Sequence, residues 1–397
     1  MQLTPVSGRQ RYEFLDVLRG FALIGIILAN MISYSLYLYL PESAPARIQA
    51  GWAGRSLDFL ELALVEEKFF TIFSVLFGVG FSILLSRARE KSLRFHRFFL
   101  RRIAILFLIG IAHTVLFWHN DILVSYAVCG ALLLPLLGAR DRTILACAAV
   151  ALLAPLAIDL AGGISSAPFI RARDVLFARF GVTPDTLIET WTHGSIVQIW
   201  QVNFSKWLDQ IAYVLTSGML FKIYGCFLIG FYFGRNQIHA RLGAHRTTIK
   251  RVAVWGIAIG LPLNILYAST FDSESWLYTA TRTAGILPLS AGYAAWLCVL
   301  WLGRHGATLT RVFAPVGRMA LSNYVGQSVI CTLIFYGTGL GLGGTMGPAQ
   351  YLPLGLAVYA IQVVFSRLWL ANHQYGPLEW VWRVLTYGAL PRRASDA

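Results

Sequence analysis

Residues 12–30 read Tyr12-Glu13-Phe14-Leu15-Asp16-Val17-Leu18-Arg19-Gly20-Phe21-Ala22-Leu23-Ile24-Gly25-Ile26-Ile27-Leu28-Ala29-Asn30. From Phe21 onward this run is apolar enough to enter a bilayer as a helix. Asp16 and Arg19 stand at its mouth on one helix face, one turn apart, where they can pair. Asn30 follows on the same side. Ionisable groups at or inside a hydrocarbon layer are costly and usually face a protein interior or a wet cavity. The simpler role for the pair is to anchor the helix at the headgroups, because arginine snorkels readily.

The rest of the chain extends that reading. Of 397 residues, 57% are hydrophobic and 13% charged, against about 25% charged in an average soluble domain. Apolar runs of roughly 20 residues recur, each long enough to cross hydrocarbon as a helix. They are continuous rather than alternating with period two, which excludes a transmembrane β-barrel. The chain therefore reads as an all-α, polytopic integral membrane protein. About ten transmembrane helices are expected, near residues 19–40, 65–86, 99–118, 121–138, 143–162, 208–233, 250–270, 280–302, 314–340 and 350–371, with a kink at Pro288. As a single membrane domain over 1–397 it divides into a five-span half at 1–162, an outer interfacial segment at 163–207 and a second five-span half at 208–397. Trp191, Trp200 and Trp207 mark the interfacial segment, and Trp380, Trp382 and Tyr387 mark an interfacial C-terminal helix.

The net charge of +14 raises the question of nucleic acid, but the placement of the charges answers it. Lys and Arg cluster in alternate short loops, around 87–102, 235–251 and 304–318 and at both ends of the chain. The positive-inside rule then puts both termini in the cytoplasm and leaves no nucleic-acid partner to explain. Cys129, Cys147, Cys226, Cys298 and Cys331 fall in apolar segments at no metal-like spacing. They read as small buried hydrophobes, with no disulfide framework and no metal. No cleaved signal peptide is expected, because the first apolar run is long and carries Arg19.

Several polar groups interrupt the apolar background. Residues 113–123, His-Thr-Val-Leu-Phe-Trp-His-Asn-Asp-Ile-Leu, join two spans by a very short turn, which predicts an antiparallel helical hairpin. His113 next to Asp121 would make a general base oriented by a carboxylate, while Asp121 can equally cap the following helix. Glu66-Glu67-Lys68 opens the second span and Lys222 lies mid-way through the sixth, where it needs a partner such as Glu66, Glu67 or a ligand anion. Arg318 and Asn323 begin the ninth span, and Arg367 closes the tenth. Hydrogen bonds between helices account for Asn323 equally well. Arg19, Arg318 and Arg367 share one membrane surface, where arginine suits a phosphorylated ligand. Residues 339–344 match G-x-G-x-x-G, but no strand precedes them, so they are no nucleotide fingerprint.

Together these stretches carry a resemblance. Leu15-Asp16-Val17-Leu18-Arg19-Gly20, Glu67-Lys68-Phe69, Phe73-Ser74-Val75-Leu76-Phe77-Gly78 and Asp121-Ile122-Leu123 resemble YeiB-like bacterial membrane proteins. The last third, from Gly317-Arg318-Met319-Ala320-Leu321-Ser322-Asn323-Tyr324 to Gly376-Pro377-Leu378-Glu379-Trp380, looks like that family's domain of unknown function. The family is similar to the transmembrane acyltransferases, which include the heparan-glucosaminide N-acetyltransferases and share the Asp-x-x-Arg-Gly opening seen here as Asp16, Arg19 and Gly20. That resemblance implies a bacterial inner-membrane enzyme. It would pass an acyl or acetyl group from cytoplasmic acyl-CoA or acetyl-CoA to an extracytoplasmic glycan or lipid acceptor among the membrane lipids. In the heparan enzymes the base is a His before the second span. Residues 41–64 here contain none, so His113 would take its place, with Asp121 and Glu67 as the other catalytic candidates. Asp16, Arg19, Lys68, Lys222, Arg318, Asn323 and Arg367 are the candidates for holding the donor. A transporter or flippase, a non-catalytic scaffold and a homodimer stay open.

Overall fold

The computed structural model describes residues 12–41, 51–90, 95–271 and 276–388, and among them every regular element is helical. The first apolar run forms α1 (Glu13–Tyr34), rich in Leu, Ile and Ala and buried along most of its length. After α2 (Gly51–Leu64), α3 (Lys68–Glu90) returns antiparallel beside it. α4 (Phe95–Leu116) and the short α5 (Leu123–Ala131) form a hairpin. There follow α6 (Asp141–Leu160), α7 (Ala167–Phe180), α8 (Leu187–His193), α9 (Ile196–Thr216) and α10 (Met219–Arg235). α11 (Arg246–Ser269) and α12 (Trp276–Trp301) pair along their length, α12 running on through Pro288. The chain closes with α13 (Gly306–Thr310), α14 (Ala314–Arg318), α15 (Ala320–Phe335), α16 (Pro348–Asn372) and α17 (Pro377–Tyr387). α1 is the hub: it packs against α3, α14, α15 and α16.

Glycines set the closest helix crossings. A Cβ at Gly78 of α3 would stand 2.0 Å from the Phe227 carbonyl oxygen of α10, and one at Gly230 would stand 2.0 Å from that of Val75. In a membrane, where helices gain little from excluding water, such backbone approach supplies much of the association. Gly230→Val is expected to lower stability by about 1–3 kcal/mol or more, the range for overpacking a tight site. Thermal unfolding of the purified protein in detergent tests this; an unshifted midpoint would mean the crossing tolerates separation.

Among the described residues, seven helical segments are long and apolar enough to cross a membrane, in α1, the α2–α3 run, α4, α6, α11, α12 and α16, or eight if α9 and α10 make one bent span. The expectation of ten is corrected by three breaks. Residues 121–138 give only a 14-residue apolar segment, Leu123–Leu136, about 21 Å at 1.5 Å per residue and short of a 30 Å core. Residues 314–340 divide at Met319 into α14 and the 16-residue α15. Residues 208–233 are not one helix: α9 and α10 meet at 63°, where Gly218 adopts φ +67°. All five cysteines are free, four of them buried.

Candidate functional site

α1, α3 and α4 enclose a cavity of about 820 Å³ together with residues of α9, α15 and α17, within the usual 300–1,000 Å³ of small-molecule sites. Because α3 runs antiparallel to α1, the start of α1 and the end of α3 share one end of it. There Arg19 (α1), Arg87 (α3), Arg102 (α4), Arg318 (α14) and Arg383 (α17) line the cavity beside the carboxylates of Asp16 and Glu379. Asp16 accepts from Arg19 Nη1 at 2.8 Å. Glu379 is engaged at the start of α15, where it accepts from the backbone N–H of Leu321 at 2.7 Å and of Ser322 at 3.1 Å and from the Ser322 hydroxyl. Burial pushes its pKa above the usual carboxylate range, with these hydrogen bonds opposing the rise. Arg102 lies 3.6 Å over the Trp382 ring, whose Nε1 donates to the Arg102 carbonyl at 2.9 Å. Arg19 and Arg383 are near enough to Arg102 for their charges to repel it. Five guanidinium groups against two carboxylates concentrate positive charge in a cleft, which favours an anion.

The middle of the cavity is apolar, with Phe69, Phe70, Phe73, Leu76, Phe77 and Phe81 of α3 facing Ile26 and Leu106. The far end turns polar again, lined by Asn30, Ser33, Tyr39, Glu66, Asn120, Lys206 and Asp209. Ser33 Oγ accepts from Asn120 Nδ2 at 2.8 Å and from Trp118 Nε1 at 3.3 Å. Lys206 pairs with Asp209, which also accepts two hydrogen bonds from Arg173 at 2.9 and 3.0 Å.

Glu67 reaches this end at the break between α2 and α3, with φ +64°. Its carboxylate accepts from Lys222 Nζ at 2.6 Å and from Arg282 through Nε, at 3.1 Å to each oxygen, and through Nη2. Arg282 Nη1 also donates to the Ser217 carbonyl at the α9–α10 break, at 3.3 Å. Lys222 has thus found Glu67 as its partner. Lys68 turns away, donating to the Leu62 carbonyl at 2.6 Å.

The α4–α5 hairpin brings His113 and Asp121 together, Nδ1 to Oδ1 at 2.8 Å. A carboxylate only accepts, so Nδ1 carries the hydrogen; Nε2 lies 2.8 Å from Ser328 Oγ, and Ser328 meets the Tyr34 hydroxyl at 2.6 Å. Asp121 also accepts from Tyr324 at 3.3 Å and from the Val124 N–H at 3.2 Å, the capping role as well. Both ring nitrogens of His113 are engaged, and the residue is 2% exposed. His113, Asp121, Lys68, Lys222, Asn323 and Arg367 stand outside the cavity lining, whereas Asp16, Arg19, Glu67 and Arg318 belong to it. Asn323 ties helices together through the Val316 carbonyl (3.1 Å) and Ser366 Oγ (2.9 Å). Arg367 is exposed on α16.

Residues 233–389 match the family "Protein of unknown function (DUF418)". The chain is 31% identical to "Uncharacterized protein YxaH" of Bacillus subtilis (strain 168) over 97% of its own length and 96% of that protein. It is 30% identical to "Uncharacterized protein YeiB" of Escherichia coli (strain K12) over 96% of its length and 97% of that protein. The chain belongs to the YeiB-like DUF418 family. No solved structure matches it. The DUF418 match contains Arg318, Glu379 and Arg383, while Arg19, Arg87 and Arg102 precede it. In this chain the arginine end is thus built jointly by the matched region and the helices before it. Arg87, Arg102 and Arg383 read in the sequence as loop charges. The available signal was Arg102 leading directly into an apolar run. Tyr39 and Lys206 carried no signal of their own.

Proposed function

We propose that this YeiB-like chain is a membrane acyltransferase that moves an acyl or acetyl group from acyl-CoA to an extracytoplasmic glycan or lipid acceptor. One observation carries the reading: a single cavity with arginines at one end, an apolar middle and a polar far end. Acyl-CoA has the matching order, with phosphates at one end, a flexible arm, and the reactive thioester at the other. From Arg19 to Ser33, α1 alone covers about 21 Å at 1.5 Å per residue. The basic end faces the cytoplasm by the positive-inside rule, which suits a cytoplasmic donor, and a bacterial inner membrane agrees with the bacterial relatives. The protein in lipid nanodiscs is expected to bind acyl-CoA, and added salt should weaken that binding. No binding at low salt would end the reading.

Sidedness has its own test. Gly243 is exposed, with open space around it, and Asp185 is exposed in the turn before α8. In intact cells, Asp185→Cys should react with an impermeant maleimide, and Gly243→Cys only after permeabilisation. The reverse pattern would put the arginine end outside, away from acyl-CoA.

A second reading, transport of a phosphorylated lipid, draws on the 63° break between α9 and α10, since discontinuous helices frame many transporter sites. Movement of a labelled phospholipid across proteoliposomes without acyl transfer would favour it.

A further inference from the structure

The cavity's polar end contains a hydroxyl whose partners are those of a proton relay. Tyr39 lines the cavity, and its phenol oxygen lies 2.7 Å from His119 Nε2. Asn120 Nδ2 approaches that oxygen at 3.4 Å and Ser33 Oγ at 3.3 Å. His119 is 1% exposed and stacks on Trp191 with ring centroids 5.3 Å apart. Trp191 Nε1 donates to Asn203 Oδ1 at 3.0 Å, and Asn203 Nδ2 donates to the carbonyls of Val115 and Phe117, each at 3.3 Å. On the Tyr39 side, Asn120 Nδ2 can only donate, and Ser33 Oγ already accepts from Asn120 Nδ2 and Trp118 Nε1, so its own hydrogen points to the Tyr39 oxygen; His119 Nε2 is then the acceptor for the Tyr39 hydrogen, with the ring hydrogen on Nδ1, a buried atom that has no hydrogen-bond partner among the described residues. Nε2 is left with its lone pair toward the Tyr39 O–H.

Electrostatics agree with that assignment. Burial, and then the Lys206 ammonium, hold the His119 pKa well below the usual histidine range, so the ring rests neutral. The same ammonium, paired with Asp209, stands 5.1 Å over the Tyr39 ring. The groups facing the pair are Lys206, Asp209 and Asn203 of α9, Trp191 of α8, and Ser33 and Asn120 from the helix ends. His113 has no such route, because Ser328 and Asp121 occupy both its nitrogens.

We propose that Tyr39 is a catalytic residue of this site, relaying the acceptor's hydroxyl proton to His119. This rests on the acyltransferase reading and identifies the acceptor group as an un-ionised hydroxyl, one that needs a base. The acceptor O–H gives its proton to the Tyr39 oxygen as the Tyr39 proton passes to His119 Nε2. The acceptor oxygen bonds to the thioester carbonyl carbon, the C–S bond breaks, and the electron pair leaves on sulfur. The proton on His119 returns through Tyr39 to that thiolate. An acyl thioester and an alcohol become an ester and a thiol, with no further reactant. Tyr39 touches the acceptor, and His119 acts through it.

The test uses the whole 397-residue chain in detergent, acetyl-CoA as donor, and two acceptors: octyl glucoside, whose hydroxyls need a base, and octanethiol, whose thiol ionises far more readily than an alcohol and depends less on one. In Tyr39→Phe and in His119→Gln, transfer to octyl glucoside should fall at least about 100-fold, the low end for general-base catalysis. Transfer to octanethiol and the affinity for acetyl-CoA should stay near those of the unaltered protein. Equal losses with both acceptors, or loss of acetyl-CoA binding in both variants, would make the pair a support of the fold and overturn the relay. Undiminished hydroxyl transfer in Tyr39→Phe would overturn the relay and leave the acyltransferase standing. An unaltered protein that binds no acetyl-CoA would overturn both.

Discussion

Glu67→Ala should destabilise the protein by about 3–5 kcal/mol, the scale of removing one partner from a buried ion pair. The carboxylate is the shared anion of Lys222 and Arg282, and Glu67 is 6% exposed. Without it two cations face one another in a low-dielectric interior, and their desolvation is no longer offset. Lys222→Met should cost less, because Glu67 keeps its bonds to Arg282. Combining Glu67→Ala with Lys222→Met should recover part of the loss, since one stranded cation is removed with the anion. Thermal unfolding of the four proteins in one lipid nanodisc preparation gives the ranking. Glu67→Ala as stable as the parent would mean that water reaches the cluster and screens it. The ion cluster joins α3, α10 and α12 at the point where α9 breaks, so its loss should also open the polar end of the cavity.

How much of this was legible beforehand follows from where each interaction lies along the chain. His113 and Asp121 are eight residues apart, and a turn that short can only form a hairpin; their hydrogen bond was readable. Asp16 and Arg19 are one helical turn apart and pair at 2.8 Å. Membrane character needed only the length and continuity of apolar runs. The breaks at Met319 and Gly218 were not readable, because hydropathy continues across them while the backbone does not. The arginine end was only half visible. Arg19 and Arg318 interrupt apolar segments and stood out. Arg87, Arg102 and Arg383 sit among other basic residues on separate elements, and only tertiary packing turns them inward. Arg367 shows the opposite failure: the right residue type at the right membrane depth, on a helix face that looks outward. Tyr39 and His119 are 80 residues apart and meet because α1 and the α4–α5 hairpin end on the same side.

Arg102→Ala is expected to weaken acyl-CoA binding by roughly 10- to 150-fold. That is the affinity equivalent of losing about 1.5–3 kcal/mol from a charge-assisted hydrogen bond at 1.4 kcal/mol per tenfold. Arg102 is chosen over Arg19 because Asp16 already holds Arg19, so Arg19→Ala would disturb a local pair along with any phosphate contact. Arg102 has its own complication, since its guanidinium packs on Trp382 and helps seat α17. Arg102→Lys separates the two effects: it keeps the charge and gives up the planar stacking and forked donors. If phosphate attraction dominates, Lys should recover much of the affinity at low salt and lose it faster as salt screens the site. If seating of α17 dominates, Lys should bind as poorly as Ala at every salt concentration. Arg367→Ala is the control, because Arg367 lies outside the cavity lining and should leave affinity unchanged. Titration of a fluorescent acyl-CoA into each folded variant decides among these. Full affinity in Arg102→Ala would remove the arginine end as the phosphate site, and with it the main reason for aligning acyl-CoA along this cavity.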